Sequence, residues 1–260
     1  MSLLFSIVTP SFNQGSFIEE TIESIANQTY QNYEHLVIDG GSTDSTLEIL
    51  KKYKAKYPDK FFYVSEKDKG QSDAINKGMK MAKGDVLCYL NSDDVFYPYT
   101  LEEVTNFFDK NPNACWVTGN YTIIDENGTE IQNFIKFYKS IFAQSPFREK
   151  ILEVINFVNQ PSTFWKREVY QKVGDFSLEY KYNMDYDYWL RIIRSGYKLY
   201  YLDKPLSKFR IHKKSKGGYG FKIQFKEDLE VLKNNKVGFM SRFLHYLHNQ
   251  LIIFIYSIIK

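Results

Sequence analysis

Cysteine is scarce in this chain: 260 residues contain only Cys88 and Cys115, each inside an apolar run. That excludes a disulfide framework and a thiolate metal site, and it suits a reducing compartment. A secretory leader is missing too, since Met1 leads straight into strand-like residues, and a cytoplasmic location is the expectation. The unbroken apolar run at 251–256 is too short to span a bilayer. Internal repeats and low-complexity linkers are also absent, which leaves one large domain or a domain with a C-terminal appendage. The first half has neither the G-x-G-x-x-G of a dinucleotide site nor the G-x-x-x-x-G-K-[ST] of a phosphate loop.

Aromatic residues, by contrast, are plentiful at 17%. They supply core volume and suit stacking on bases or sugars. The net charge of +3 conceals an asymmetry: residues 207–260 hold 11 Lys/Arg against 3 Asp/Glu, which leaves −5 for the first 206. An acidic body fits metal binding, and a basic tail fits contact with anions. Nucleic acid is excluded as that anion, because the basic surplus lies in an apolar tail rather than on a folded face.

The first hundred residues alternate. Residues 3–10, 34–38, 61–64 and 86–90 read as strands, and 17–27, the stretch from Ser45, and 72–83 read as helices between them. Such alternation predicts an α/β fold of parallel strands joined by right-handed crossovers. Each strand then delivers its following loop to one edge, where open α/β sheets bind ligands. That rim gathers Thr9 and Ser11, Asp39 and Asp44, residues 67–73, and Asp93 with Asp94. Two adjacent carboxylates at a buried strand tip call for a counter-charge, most simply a divalent cation. Acids beside a glycine-bearing turn, Asp39-Gly40-Gly41-Ser42, fit a nucleoside diphosphate held through Mg²⁺ or Mn²⁺.

The second half is less regular. Residues 116–118, 121–125 and 130–137 are expected as strands, with a hairpin turn at Glu126-Asn127-Gly128. Residues 140–155 read as a mobile segment with a helical turn. A strand at 162–166, a helix at 167–173 and a loop at 176–183 follow, then a helix at 185–195 that opens on acids. Residues 198–202 and 208–212 read as late strands, and the Gly-rich stretch 213–220 as mobile.

Four motifs in order carry a resemblance: Ile7-Val8-Thr9-Pro10-Ser11-Phe12-Asn13, Val37-Ile38-Asp39-Gly40-Gly41-Ser42-Thr43-Asp44, Asp68-Lys69-Gly70-Gln71-Ser72-Asp73-Ala74, and Leu90-Asn91-Ser92-Asp93-Asp94. They resemble family 2 glycosyltransferases of the GT-A fold, a Rossmann-like, mostly parallel sheet flanked by helices. Gln160-Pro161-Ser162-Thr163-Phe164 and Met184-Asp185-Tyr186-Asp187-Tyr188-Trp189 resemble that family's acceptor half. The resemblance implies an inverting transfer of a sugar from a nucleotide-sugar, usually a UDP-sugar, to an acceptor hydroxyl. It implies nucleotide contacts from Thr9, Ser11, Asp39, Asp68, Lys69 and Asp93, with Asp94 as the ligand of Mn²⁺ or Mg²⁺. Asn91 stands where the family often has an acid and is not counted as a ligand. Asp185 is the expected base, with Asp187 as the alternative. His212 is a candidate for the metal, and Arg210 and Lys214 for the diphosphate. Trp165 and Trp189 are either acceptor platforms or core.

The division expected is a transferase domain at 1–220, with a nucleotide-binding half at 1–98 and an acceptor half at 99–220, followed by a C-terminal helical extension at 221–260. The apolar stretch 237–259, interrupted by Arg242, His245, His248 and Asn249, reads as an interfacial helix attracted to anionic lipid, or as a helix docked on the domain or on the second subunit of a homodimer. A lipid-linked glycan at the inner face of the cytoplasmic membrane is the expected acceptor. Two rivals stay open: a non-catalytic nucleotide-binding scaffold, and a nucleotidyltransferase on a related sheet.

Overall fold

The computed structural model describes residues 2–131, 133–213, 215 and 221–259. The chain begins as the alternation predicts. Strands β1 (Phe5–Ser11), β2 (Tyr33–Asp39), β3 (Phe61–Ser65) and β4 (Val86–Tyr89) are separated by helices α1 (Ile18–Ala26), α2 (Thr46–Lys56) and α3 (Gln71–Met81). The four strands are parallel, in the order β3-β2-β1-β4. Their C-terminal ends therefore share one edge.

Side chains alternate between the faces of this sheet, and both faces are covered. On β4, Leu87 and Tyr89 join the cluster under α3, whereas Val86 and Cys88 join the opposite one. Full burial of each such side chain stabilises by roughly 1.5–3 kcal/mol. Cys88 is buried and Cys115 half-buried, and both are free thiols.

Beyond β4 lie β5 (Val95–Phe96), α4 (Thr100–Lys110), β6 (Trp116–Ile124), β7 (Glu130–Ile131), α5 (Asn133–Gln144), α6 (Arg148–Leu152), β8 (Thr163–Lys166), α7 (Arg167–Val173), α8 (Met184–Arg194) and β9 (Leu199–Arg210). Two helices close the chain, α9 (Phe221–Asn234) and α10 (Phe239–Ile259). The second half extends the first sheet: β8 pairs antiparallel with β4, β6 with β8, and β9 runs parallel to β6.

Several expectations change. The two strands expected at 116–125 are one, β6, with a register irregularity at Gly119 and Asn120. The two late strands are likewise one, β9. Helix α4 was not foreseen. The strand expected at 130–137 ends after Ile131, and α5 takes over, because Phe137, Tyr138, Ile141 and Phe142 repeat at helical spacing despite their strand-favouring types. The rest of 140–155 is helix α6 and turns that bury Leu152. Trp165 and Trp189 are core: both are fully buried, with ring centroids 5.7 Å apart.

Helix α3 lies close on the sheet at Gly78. A methyl group there would collide with Val8 Cγ1 and meet Ile38 Cγ1 at 3.2 Å. Gly78→Ala should therefore cost on the order of 1–3 kcal/mol through overpacking, offset in part by up to about 1 kcal/mol of helix propensity. A lowered urea midpoint is the expected result; an unchanged one would show that the approach tolerates a methyl group.

Candidate active site

The strand ends enclose a cleft of about 1010 Å³. One wall is laced from the loops after β1 and β2. Asn13, at φ 53°, accepts the Thr43 N–H on its side-chain oxygen (2.8 Å), and its own N–H donates to Ser42 Oγ (2.7 Å). Gln14 N–H donates to Thr46 Oγ1 (3.0 Å), and Gly15 N–H to Asp44 Oδ2 (2.9 Å). The small and polar residues of these motifs thus weld two loops into one surface.

Asp39 is the brace of that wall rather than part of its face. It is fully buried, and its Oδ2 accepts from the Gly41 N–H (3.1 Å), the Ser42 N–H (2.9 Å) and Ser65 Oγ (2.6 Å). Thr9 is also withdrawn, its hydroxyl 2.9 Å from Nε2 of buried His35. Ser11 does line the cleft; its hydroxyl is buried and has no hydrogen-bond partner among the described residues. Asp68 and Lys69 line it as well. Asp68 lies over Gly40, where a Cβ would stand 2.7 Å from its Oδ2, so a larger residue there would push this carboxylate aside.

The tip of β4 divides its polar residues. Asn91 accepts from Gln71 Nε2 (2.6 Å) and donates to Asp94 Oδ2 and to Gln160 Oε1, both at 3.2 Å. Gln160 in turn donates to the Tyr89 carbonyl (2.6 Å). Asp94 is fully buried and absent from the cleft lining. Its Oδ1 accepts the Arg210 N–H at 2.9 Å. Burial, reinforced by the neighbouring Asp93, pushes its carboxyl well above the usual carboxylate range. Asp93 is the carboxylate that faces the cleft, with Oδ2 3.0 Å from His212 Nε2.

Arg210 borders the cleft but is anchored within the protein. Its guanidinium donates to the carbonyls of Asp93 (2.8 Å), Asp125 (3.2 Å) and Glu126 (3.3 Å), and it pairs with Glu20. Lys214 lies outside the described residues.

The far wall, Leu178–Lys181, leads into α8. Ser72, on the cleft, donates to the sulfur of Met184, and Asp185 follows in the first turn of α8. Asp185 is half-buried, and its carboxyl is pushed up to about 6 by desolvation, against the lowering effects of the Tyr186 N–H and Lys139. Asp187 is spent elsewhere. Its Oδ2 accepts from Arg191 Nε (2.8 Å) and its Oδ1 from Asn235 Nδ2 (2.7 Å), whereas Asp185, which lies behind the cleft lining, accepts only the Tyr186 N–H (2.7 Å) among the hydrogen bonds of the described residues.

One residue with no signal in the sequence shapes this wall. Glu227 on α9 accepts the N–H groups of Lys181 (2.8 Å), Tyr182 (2.7 Å) and Asn183 (2.9 Å). It joins the C-terminal extension to the loop that precedes Asp185. A lone glutamate on a helix carries no mark of such a role.

The family model described as Glycosyl transferase family 2 matches residues 6–174. The chain belongs to that family. Among relatives of this glycosyltransferase chain, the uncharacterized glycosyltransferase RP339 of Rickettsia prowazekii (strain Madrid E) is 30% identical, over 81% of this chain and 65% of that protein. TuaG of Bacillus subtilis (strain 168), named provisionally as a teichuronic acid biosynthesis glycosyltransferase, is 27% identical over 80% of this chain and 79% of its own length. The chain spans only 34% of a Rickettsia felis relative. A Pyrobaculum calidifontis mannosyltransferase, solved with GDP-Man and Mn²⁺, superposes with a TM-score of 0.73 at 18% identity, covering 96% of this chain and 69% of that one. Staphylococcus aureus TarS 1–349 with UDP-GlcNAc gives 0.68 at 21%, covering 89% and 66%. At these identities the likeness is one of fold, the GT-A arrangement of a mostly parallel sheet between helices.

Glu227→Ala would leave three backbone N–H groups without their acceptor, and should cost about 1–3 kcal/mol. Thermal denaturation should show a lowered midpoint; an unchanged midpoint would mean that water replaces the carboxylate without loss.

Proposed function

We propose that this protein moves a sugar from a nucleotide-sugar, with a UDP-sugar as the favoured donor, to a hydroxyl of a lipid-linked glycan, with inversion and with the help of a divalent cation. The observation that carries the reading is Asp93 on the cleft, with its Oδ2 3.0 Å from Nε2 of buried His212, in a chain of this family. Relatives named for teichuronic and teichoic acid biosynthesis support a surface polysaccharide as the product.

The donor set fits the ion. Asp93 and His212 offer one oxygen and one nitrogen, and no cluster of three or more His, Cys, Asp or Glu exists among the described residues. Mg²⁺ and Mn²⁺ in such sites keep waters and take phosphate oxygens alongside one or two protein ligands. When bound, the ion neutralises charge on the departing diphosphate. We assign the metal to Asp93, which lines the cleft, in preference to its buried neighbour Asp94.

Ser11, Asp68 and Lys69 then line the nucleotide, while Asp39 and Thr9 support it from behind. Asp185 takes the proton of the acceptor hydroxyl as that oxygen attacks the anomeric carbon, and the nucleoside diphosphate leaves from the opposite face. A carboxylate held near 6 is a stronger base than an ordinary one and is still ionised at neutral pH.

Asp185→Asn should lower kcat by about 10²–10⁴ while donor binding persists. Retention of near-full transfer by the purified variant would remove Asp185 as the base. Because the base must be unprotonated, kcat/KM should rise with pH up to about 6 and level off above it; a flat profile between pH 5 and 7 would contradict the assignment.

A thermal-shift screen of nucleotide-sugars with and without Mn²⁺ tests the donor site. Wild type should be stabilised most by one nucleotide-sugar together with the ion. Asp93→Asn should lose the ion-dependent part of the shift and keep more of the nucleotide part. An equal ion dependence in both proteins would place the metal elsewhere.

A further inference from the structure

The C-terminal helix α10 turns its polar side inward. His245 is 2% exposed, with Nδ1 2.7 Å from the Val154 carbonyl and Nε2 3.5 Å from Asp228. One turn on, Asn249 donates to Asp228 (3.3 Å) and meets His245 Nε2 at 2.9 Å. His248 Nε2 lies 2.7 Å from the Tyr138 hydroxyl of α5, and Ser241 donates to Glu153 (3.3 Å). These are the polar residues that interrupt the apolar tail. They attach it to the domain.

The other side of α10 is left bare. Phe239 is 74% exposed, and Met240, Phe243, Leu244, Leu247 and Leu251 are exposed with it. On the elements that α10 touches, Phe137 and Ile141 on α5 and Phe147 before α6 are also exposed. An apolar surface of this extent marks an interaction site.

We propose that this face is a membrane-docking surface, seated in the interfacial layer of an anionic bilayer. Charge selects the occupant. Helix α10 contains no acidic residue, Lys233 and Lys236 just before it are exposed, and the acid at its start, Glu153, is paired with exposed Lys150 at 3.7 Å. An apolar face rimmed by lysines is the pattern that binds headgroups of negative charge. A second copy, facing the first across a two-fold axis, would bring like charge to like charge, with no acid on α10 to balance it. Among the described residues no helix is long and apolar enough to cross a membrane, so α10 lies along the surface.

The purpose of this face rests on the proposed transfer to a membrane-borne acceptor; its geometry does not. The His245 ring stacks on Tyr186 at 6.0 Å, next to Asp185 in α8. Docking through α10 would therefore hold α8, which carries Asp185, near the bilayer.

Co-sedimentation of the full chain with vesicles of phosphatidylcholine, alone or mixed with phosphatidylglycerol, tests the proposal. Wild type should pellet with the mixed vesicles and remain in solution with the neutral ones. Combined Phe239→Ser, Phe243→Ser and Leu247→Ser should weaken that binding by more than about tenfold, with the nucleotide-sugar thermal shift intact. Absence of wild-type binding, or equal binding by the variant, overturns the proposal. So does a wild-type dimer that the same substitutions disperse without any vesicle binding, which assigns the face to a second copy. Vesicle binding without sugar transfer to any acceptor would leave the docking face standing and count against the enzymatic reading alone.

Discussion

The buried carboxylate of Asp94 is the joint on which the cleft depends. It accepts the Arg210 N–H, 116 residues away in sequence, and the side chain of Asn91. Its own carbonyl takes the Thr21 hydroxyl of α1 at 2.8 Å. One residue thus ties the tip of β4 to the end of β9 and to the first helix. Arg210 completes the joint by gathering the carbonyls of Asp93, Asp125 and Glu126. Isolated buried carboxylates are costly, and this one is tolerated because hydrogen-bond donors converge on it. The result is that Asp93 and His212, from opposite ends of the chain, are held face to face across 3.0 Å.

The same logic extends to the acceptor side, where the C-terminal helices are working parts of the domain. Glu227 fixes the loop before α8, and Asn235 takes one oxygen of Asp187. Asp187 is thereby neutralised by partners while Asp185, two residues earlier, remains the carboxylate at the helix end. The boundary expected near residue 220 marks a change in sequence character, and the hydrogen bonds run straight across it. Helix α10 adds a third layer, packing His245 on Tyr186 and leaving its apolar side outward.

Much of this was legible in the chain, and the parts that were not share a cause. The parallel half could be read because each buried strand is a short apolar run that ends in polar residues, and the run itself carries the signal. Helix α5 misled because Phe, Tyr and Ile suit strands as well as helices, and only the 3.6-residue spacing separates the two. Strands β6 and β9 each looked like two because Gly119 and Pro205 interrupt them at the shared register irregularity. Glu227 could not be found from sequence, since its partners are backbone N–H groups about 45 residues earlier, which leave no pattern of side chains.

The different surroundings of Asp93 and Asp94 show what a motif can and cannot convey. Two adjacent acids at a strand tip announce a cation site, and the family motifs around them strengthen that reading. The two acids sit in a turn that the Asp94 N–H closes on the Asn91 carbonyl at 3.1 Å, however, and this turn sends one to the cleft and the other inward. Which one is decided by where donors lie below the rim. Here the Arg210 N–H and Asn91 donate to Asp94, and His212 meets Asp93. Asn91 has its own place in this division: it spans Gln71, Asp94 and Gln160 and holds the buried acid in line. An aspartate at that position would add a third negative charge and remove the donor that Asp94 uses. The asparagine is therefore matched to a tip in which a single carboxylate faces the cleft.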